Sequence, residues 1–383
     1  MKFFIFTLGC QMNTADSEKV SAVLESANLK PATEKEANLI IVNACSVRQT
    51  AVDRIWGKLK VWKKARPAKF IFLTGCILPK DMVKLASKVD EIFSINSLSK
   101  LPNILEKHKL AQADKRQLKK RKLRAFPSIP YQKLKNNNYH KIESTAFIPI
   151  MNGCDNFCSY CVVPYTRGRE QSRPEKEIIC EAKKAIRQGH TNILLLGQNV
   201  NSYKSKSEIR NPKSEINPKV QNPNFKTNPF IQLIRKIDVL LGDFQFNFMT
   251  SHPKDLSSEL IKTLVNLKKW EHSLHLPVQS GDDEILRKMN RHYSAKQYLN
   301  LIKNLKLKIK KLIISTDIIV GFPGETKKTF ENTVKLCKKA KFNKAYVAIY
   351  SPRAGTAAHK LEDNVSREEK KKRWKILDTL INH

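Results

Sequence analysis

The sequence lacks any apolar run approaching the roughly 18 residues that a membrane-spanning helix requires, so no such helix is expected. The amino end does imitate a short lipoprotein signal closing on Leu8-Gly9-Cys10. Its apolar core runs only from Phe3 to Leu8, however, shorter than the usual h-region of a signal peptide. A buried strand followed by a turn accounts for the same letters. Cysteine is scarce as well: eight in 383 residues are too few for a disulfide scaffold. Three of them fall within one eight-residue stretch and three others lie at the ends of apolar runs, which suits reduced thiolates acting as metal ligands in a reducing cytoplasm. Acidic residues are the third shortage, 35 Asp+Glu against 71 Lys+Arg for a formal net charge of +36. An imbalance of this size points to a polyanionic partner, most simply a nucleic acid or an anionic membrane surface. A lysine-rich proteome raises the charge of all its products, but clustering of the charge argues for a partner.

What is present reads as a soluble globular chain, 41% apolar and 28% charged, long enough for two or three domains. From residue 1 to 125, short apolar runs (Phe3–Leu8, Leu39–Val42, Phe70–Leu73) alternate with stretches of helical spacing (Ser17–Ala27, Ala51–Lys64). That alternation predicts an α/β domain with a parallel sheet, whose ligands gather beyond the carboxyl ends of the strands. Cys10, Cys45 and Cys76 each fall two or three residues past such a strand end and are expected to converge on one edge. Lys107–Arg124 carries nine basic residues and a single acid, Asp114, and leads into a linker at 126–145. It reads either as a solvated helix face or as a patch contacting phosphate.

From 146 to 364 the alternation resumes, with strands expected at Phe147–Met151, Asn192–Leu196, Gln245–Thr250, Ser273–Leu276, Ile313–Val320 and Ala345–Tyr350. Helices are expected at Glu175–Gln188, Leu256–Leu267, Asp282–Met289, Ala295–Lys308 and Lys327–Ala340. Six βα units predict a partial (βα)6-type barrel of parallel strands. A stretch at 204–229 with four Asn-Pro pairs breaks the rhythm and reads as a solvated insertion loop, while 365–383 reads as a last amphipathic helix.

The chemistry concentrates in Gly153-Cys154-Asp155-Asn156-Phe157-Cys158-Ser159-Tyr160-Cys161, a C-x3-C-x2-C loop directly after the first barrel strand. Three thiolates this close can bind three corners of an iron–sulfur cubane and leave one iron open to a small chelating ligand. A structural zinc knuckle is the alternative, but it wants a fourth ligand at short spacing. The nearest histidines in sequence are His140 and His190. Cys180 and Cys337 lie in helical stretches without partner cysteines and read as structural.

This loop resembles that of the radical S-adenosylmethionine superfamily, and further blocks are similar to its MiaB-type methylthiotransferase family. They include Cys161-Val162-Val163-Pro164-Tyr165-Thr166-Arg167-Gly168-Arg169-Glu170, Leu196-Gly197-Gln198-Asn199-Val200-Asn201-Ser202-Tyr203, Thr250-Ser251-His252-Pro253 and His275-Leu276-Pro277-Val278-Gln279-Ser280-Gly281. Met289-Asn290-Arg291, Asp317 to Thr326 and Tyr350 to Thr356 follow in family order, and Gly9-Cys10-Gln11-Met12-Asn13, Asn43-Ala44-Cys45 and Gly75-Cys76 precede them. The resemblance implies an enzyme with two [4Fe-4S] clusters. One, at Cys154, Cys158 and Cys161, binds S-adenosylmethionine and yields a 5′-deoxyadenosyl radical. The other, at Cys10, Cys45 and Cys76, presents sulfur at its open iron. The implied substrate is N6-isopentenyl(dimethylallyl)adenosine beside the tRNA anticodon, converted to its 2-methylthio derivative, with a flavodoxin- or ferredoxin-like electron donor and a cytoplasmic location.

Within that resemblance, Gln198, Asn199, Ser251 and His252 are placed to reach a cofactor on the barrel's carboxyl face. Gly321 and Gly324 are expected to let the backbone approach its adenine, and Arg167 and Arg169 to contact phosphate, that of RNA, or carboxylate. The chain departs from the family in reading Asn43-Ala44-Cys45 for Asn-Thr-Cys, in the 204–229 insertion, and in stopping where the family continues into a TRAM domain. Three other readings stand beside it: methylthiolation of threonylcarbamoyladenosine in tRNA, methylthiolation of a ribosomal protein aspartate, and a non-enzymatic cluster-containing RNA-binding protein.

Overall fold

The computed structural model describes residues 1–47, 49–65, 67–110, 144–204 and 228–383. The basic run beyond residue 110, the linker but for its last two residues, and the insertion from 205 to 227 lie outside the described residues. The chain divides into two compact units, Met1–Phe147 with Tyr165–Arg167, and Ile148–Pro164 with Gly168–His383.

In the first unit the elements run β1 (Lys2–Thr7), α1 (Gln11–Ser26), β2 (Lys30–Pro31), β3 (Leu39–Cys45), α2 (Gln49–Lys64), β4 (Phe70–Cys76), α3 (Pro79–Ala86), β5 (Glu91–Ile92) and α4 (Leu101–Lys107). The strands form one sheet in the order β2-β1-β3-β4-β5, parallel throughout. All seven residues of β3 are buried, the near-continuous apolar run of a strand covered on both faces. Alternate side chains divide between two cores. Leu39 and Ile41 pack with Val20, Val23 and Leu24 of α1 and Leu101 and Leu105 of α4. Ile40 and Val42 pack with Ile55, Leu59 and Trp62 of α2.

Two expectations change here. β3 and β4 continue through Cys45 and Cys76, which are register partners on the ladder rather than residues beyond it. The small and polar residues Asn43, Ala44, Thr74 and Gly75 do not end the strands, because their backbone groups still find ladder partners. Helix α1 begins at Gln11 rather than Ser17, since its first turns bury the polar Asn13, Asp16 and Ser17 that an apolar periodicity cannot register.

The division falls within β6 (Thr145–Pro149), and the second unit continues with β7 (Met151–Asn152), β8 (Gln171–Ser172), α5 (Glu175–Arg187), β9 (Asn192–Leu196), α6 (Pro229–Asp238), β10 (Gln245–Met249), α7 (Ser258–Asn266) and β11 (Ser273–His275). It ends in α8 (Asp283–Lys288), α9 (Ala295–Lys308), β12 (Ile313–Val320), α10 (Lys327–Ala340), β13 (Lys344–Ile349) and α11 (Arg367–Asn382). There are two three-stranded sheets, β6-β9-β10 and β11-β12-β13, and Phe246 of β10 makes a parallel bridge to Trp270, just ahead of β11. Six strands thus follow one another in chain order, the open partial barrel that the six βα units predict.

The first expected barrel strand is split. Pro149 ends β6, and Met151–Asn152 turns away to pair antiparallel with β8, which aims the chain into the cysteine loop. The last Asn-Pro pair starts a helix instead of closing a loop. Pro229 occupies its first turn and the Asn228 side chain accepts from the Phe230 amide at 2.8 Å. Phe230, Ile231, Leu233, Ile234 and Ile237 then bury one face of α6.

Candidate functional sites: two cysteine triads

In the first unit, three connections bring cysteines to one edge of the sheet. Cys10 precedes the first turn of α1, while Cys45 and Cys76 end adjacent parallel strands. Cys10 is exposed and the other two are buried. Asn13, fully buried, lies among them: its Oδ1 is 3.6 Å from Cys10 Sγ and 3.9 Å from Cys76 Sγ. The amide is held in that orientation from behind, because Nδ2 donates to Asn43 Oδ1 (3.1 Å) and to the Ala44 carbonyl (2.9 Å). Asn43 returns a bond to the Asn13 carbonyl at 2.7 Å and another to Ser17 Oγ at 2.9 Å.

Glycine precedes Cys76 for a steric reason. Gly75 has φ +104°, and a Cβ there would lie 2.4 Å from the Ala44 carbonyl oxygen. Arg167 completes this site: Nε donates to Cys76 Sγ at 2.8 Å, and Nη2 donates to Asp16 Oδ2 at 2.8 Å and Asn13 Oδ1 at 3.3 Å. Burial pushes the Cys76 thiol up to about 12, with Arg167 opposing that rise. Burial also works against the charge of Arg167, but Asp16 and the Cys76 sulfur hold its guanidinium above the ordinary value.

In the second unit the loop Cys154–Cys161 is fixed at both ends. Gly153, at φ +78°, allows the chain to pass the Arg169 carbonyl, which a Cβ would approach to 2.2 Å. The Cys154 amide donates to the Gly168 carbonyl and the Cys161 amide to that of Cys158. Ser159 bonds the Met289 and Lys288 carbonyls at 3.0 and 2.8 Å, and Asn290 Nδ2 donates to the Phe157 carbonyl at 3.0 Å. Arg291, buried, donates to Cys158 Sγ at 3.4 Å, the Pro277 carbonyl at 2.9 Å and Tyr293 Oη at 2.9 Å. Burial pushes Cys161 up to about 12 and raises Cys154 as well.

The remaining expected residues are placed unevenly. Gln198 and Asn199 follow β9, each with a buried side-chain oxygen that has no partner, and Asn199 Nδ2 donates to Asp255 at 2.7 Å. Ser251 donates to Asn201 Oδ1 at 3.2 Å. His252 is buried with its ring 5.7 Å from that of Tyr293, and burial, then Arg291, Lys254 and His292, lowers it to about 2. The Gly321 amide donates to Glu325 Oε2 (2.6 Å) and that of Gly324 to Asn364 Oδ1 (2.9 Å). Arg169 is exposed, paired with Asp155 at 2.7 Å. Of the two contacts expected of Arg167 the structure shows the carboxylate: its side chain is 3% exposed and bonded to Asp16 and to the Cys76 sulfur, which leaves little surface for RNA phosphate. Cys337 is buried, whereas Cys180 is exposed and packs no core.

Residues 148–337 match the Radical SAM superfamily, and residues 2–95 match an uncharacterized protein family, UPF0004. Over 390 residues, 100% of this chain and 81% of the relative, the sequence is 40% identical to a tRNA-2-methylthio-N(6)-dimethylallyladenosine synthase of Clostridium botulinum (strain Okra / Type B1). The chain belongs to that synthase family. A second synthase, from Clostridium tetani (strain Massachusetts / E88), is 38% identical over 99% of this chain and 81% of its own. Among solved structures the radical S-adenosylmethionine methyltransferase TsrM from Kitasatospora setae superposes with a TM-score of 0.58 at 12% identity, covering 94% of this chain and 76% of that one. The cobalamin-dependent radical enzyme OxsB gives 0.53 at 10% identity, over 97% and 56%. Both likenesses concern the fold.

The donor chemistry of this synthase-family chain fits iron–sulfur clusters. Each triad offers three free thiols. Among the described residues no group of three or more His, Cys, Asp or Glu is arranged to hold a single metal ion. A cubane asks for something different, since each cysteine serves its own iron. Sequence reasoning passed over Asn13, Asp16, Asn290 and Arg291 as site residues. The signal for the last two was the Met289-Asn290-Arg291 block itself, which the structure ties to the cysteine loop 133 residues earlier.

Proposed function

We propose that this chain methylthiolates N6-dimethylallyladenosine beside the anticodon of tRNA, at carbon 2 of the base. The observation that carries the reading is 40% identity to a synthase of that name over the whole chain. Cys154, Cys158 and Cys161 hold one [4Fe-4S] cluster, and Cys10, Cys45 and Cys76 hold the other. When bound, the clusters and S-adenosylmethionine supply the one-electron and sulfur-transfer chemistry that acid–base groups cannot, because the carbon 2 hydrogen is not acidic.

The chain's own residues position and protect that chemistry. Arg291 and Asn290 fix the shape of the cysteine loop. The partnerless oxygens of Gln198 and Asn199 would accept hydrogen bonds from S-adenosylmethionine, which would repair a buried deficit. His252 stays uncharged throughout the working pH range, so it would pack beside the cofactor without repelling the sulfonium. Asp317 and Tyr346, register partners on β12 and β13 and both partly exposed, each meet His275, and would offer a base an acceptor and an aromatic face.

The surplus of positive charge attracts the tRNA, and Arg169 contacts its phosphates. A flavodoxin or ferredoxin delivers the electron, and the enzyme works in the cytoplasm. Among the described residues no helix is long and apolar enough to cross a membrane. The test is anaerobic reconstitution followed by incubation with S-adenosylmethionine, a reductant and tRNA bearing the dimethylallyl base. About eight irons per chain and a 2-methylthio product are expected. Transfer to threonylcarbamoyladenosine or to a ribosomal protein aspartate instead, or no cleavage of S-adenosylmethionine, would replace this reading.

A further inference from the structure

Arg167 is six residues past Cys161 in sequence, yet the compact unit that claims it is the first one. Its guanidinium there is almost inaccessible: 3% exposed, against 6% for its partner Asp16. Nε points at Cys76 Sγ from 2.8 Å, while Nη2 is shared between Asp16 Oδ2 and Asn13 Oδ1. A planar fork that meets a sulfur on one side and a carboxylate on the other is a geometry only arginine provides. Neither bond would be needed to fold a parallel sheet whose cores are apolar.

We propose that Arg167 is a positioning residue that sets the reduction potential of the cluster held by Cys10, Cys45 and Cys76, with Asp16 as its counterweight. The inference rests on the proposed ligation of that cluster. An N–H bond to a ligating thiolate draws charge from the sulfur and favours the reduced cluster, and a fixed positive charge in a desolvated site acts in the same direction. Asp16 partly cancels the charge and holds the fork on the sulfur. Asn13, anchored by Asn43 and Ala44, fixes the third edge of the guanidinium. The arrangement therefore has two opposed controls on one cluster.

The two controls predict opposite signs. In the full chain with Cys154, Cys158 and Cys161 replaced by Ala, so that the remaining cluster is read alone, the reduction potential is measured by EPR-monitored titration. Arg167→Gln should lower the reduced-to-oxidised ratio at fixed solution potential at least tenfold, a shift of about 59 mV for a one-electron couple. Asp16→Asn should move it the other way, because the guanidinium is no longer cancelled. Arg167→Lys should recover part of the shift, since it keeps the charge but not the fork.

Iron content is determined on the same samples. Four irons per chain with potentials unmoved in both variants overturns the inference and leaves the tRNA reading standing. Shifts of the same sign in both variants, or iron loss in both, reduces Arg167 to a structural ion pair and also overturns it. Should Arg167→Gln fail to hold iron, the upward shift in Asp16→Asn still decides the matter. Absence of a four-iron cluster in the parent chain would instead remove the ligation on which the inference rests.

Discussion

Asn13 has no exposed surface and its side chain serves five groups, two sulfurs and the Arg167 guanidinium in front and Asn43 and Ala44 behind. Asn13→Ala leaves buried acceptors without donors, at about 1–3 kcal/mol for each group stranded, and chemical denaturation should show a loss in that range. Gly75→Ala is expected to be worse, because its Cβ would meet a backbone oxygen rather than a movable side chain. A lower melting temperature together with iron loss from the first triad is the expected outcome.

His252 carries a pH signature. Its folded value of about 2 lies far below the usual 6.5. Below about pH 6.5 the unfolded chain takes up a proton that the folded chain refuses. Stability therefore falls as the pH drops from there toward 2, by up to about 1.4 kcal/mol per unit. Denaturation of His252→Gln at several pH values should show a shallower acid slope than the parent; equal slopes would mean the imidazole is not desolvated as described. At this scale the gathering of Cys10, Cys45 and Cys76 at one sheet edge was legible from the strand ends, and the Cys154–Cys161 loop from its spacing. Asn13, Asp16 and the partners of Arg167 were not, because what defines them is a contact 30 to 154 residues away.

Among elements, the long regular ones were legible. Asn192–Leu196, Ile313–Val320, Ala295–Lys308 and Lys327–Ala340 occur with the bounds that periodicity assigns. Short elements escaped because their signal is only a few letters: α3 buries Leu85 alone, and β8 has two residues. Helix α6 escaped for another reason, its start being an Asn-Pro pair in a stretch that reads as loop.

Helix α11 is held by a charge pair rather than by apolar area alone. Arg373 bonds Glu325 Oε2 at 2.8 Å with side chains 6% and 1% exposed, and the Glu325 carboxylate also accepts the Gly321 amide. Removing one partner strands a buried charge, so Arg373→Met should cost about 3–5 kcal/mol. The double variant with Glu325→Gln should recover part of that loss. Urea unfolding of the two variants reads the difference directly.

For the whole molecule, the parallel sheet of the first unit and the open barrel of the second were both legible, since strand–helix alternation leaves few topologies. The surplus of positive charge acquires a meaning beside the synthase family: a polyanion is what the proposed substrate is. Cluster assembly carries a pH dependence of its own. Cys76 and Cys161 are raised to about 12 and Cys154 is raised too, so binding iron must expel protons. Reconstitution should therefore release protons and proceed further at pH 9 than at pH 7, as followed by iron content and proton release.

The central claim is the reaction itself. Its most direct test is nucleoside mass spectrometry of tRNA from cells that lack their own synthase and express this chain. The account predicts 2-methylthio-N6-dimethylallyladenosine, lost on Cys158→Ala and on Cys76→Ala alike. Unmodified dimethylallyladenosine, with the protein folded and both clusters present, would contradict it.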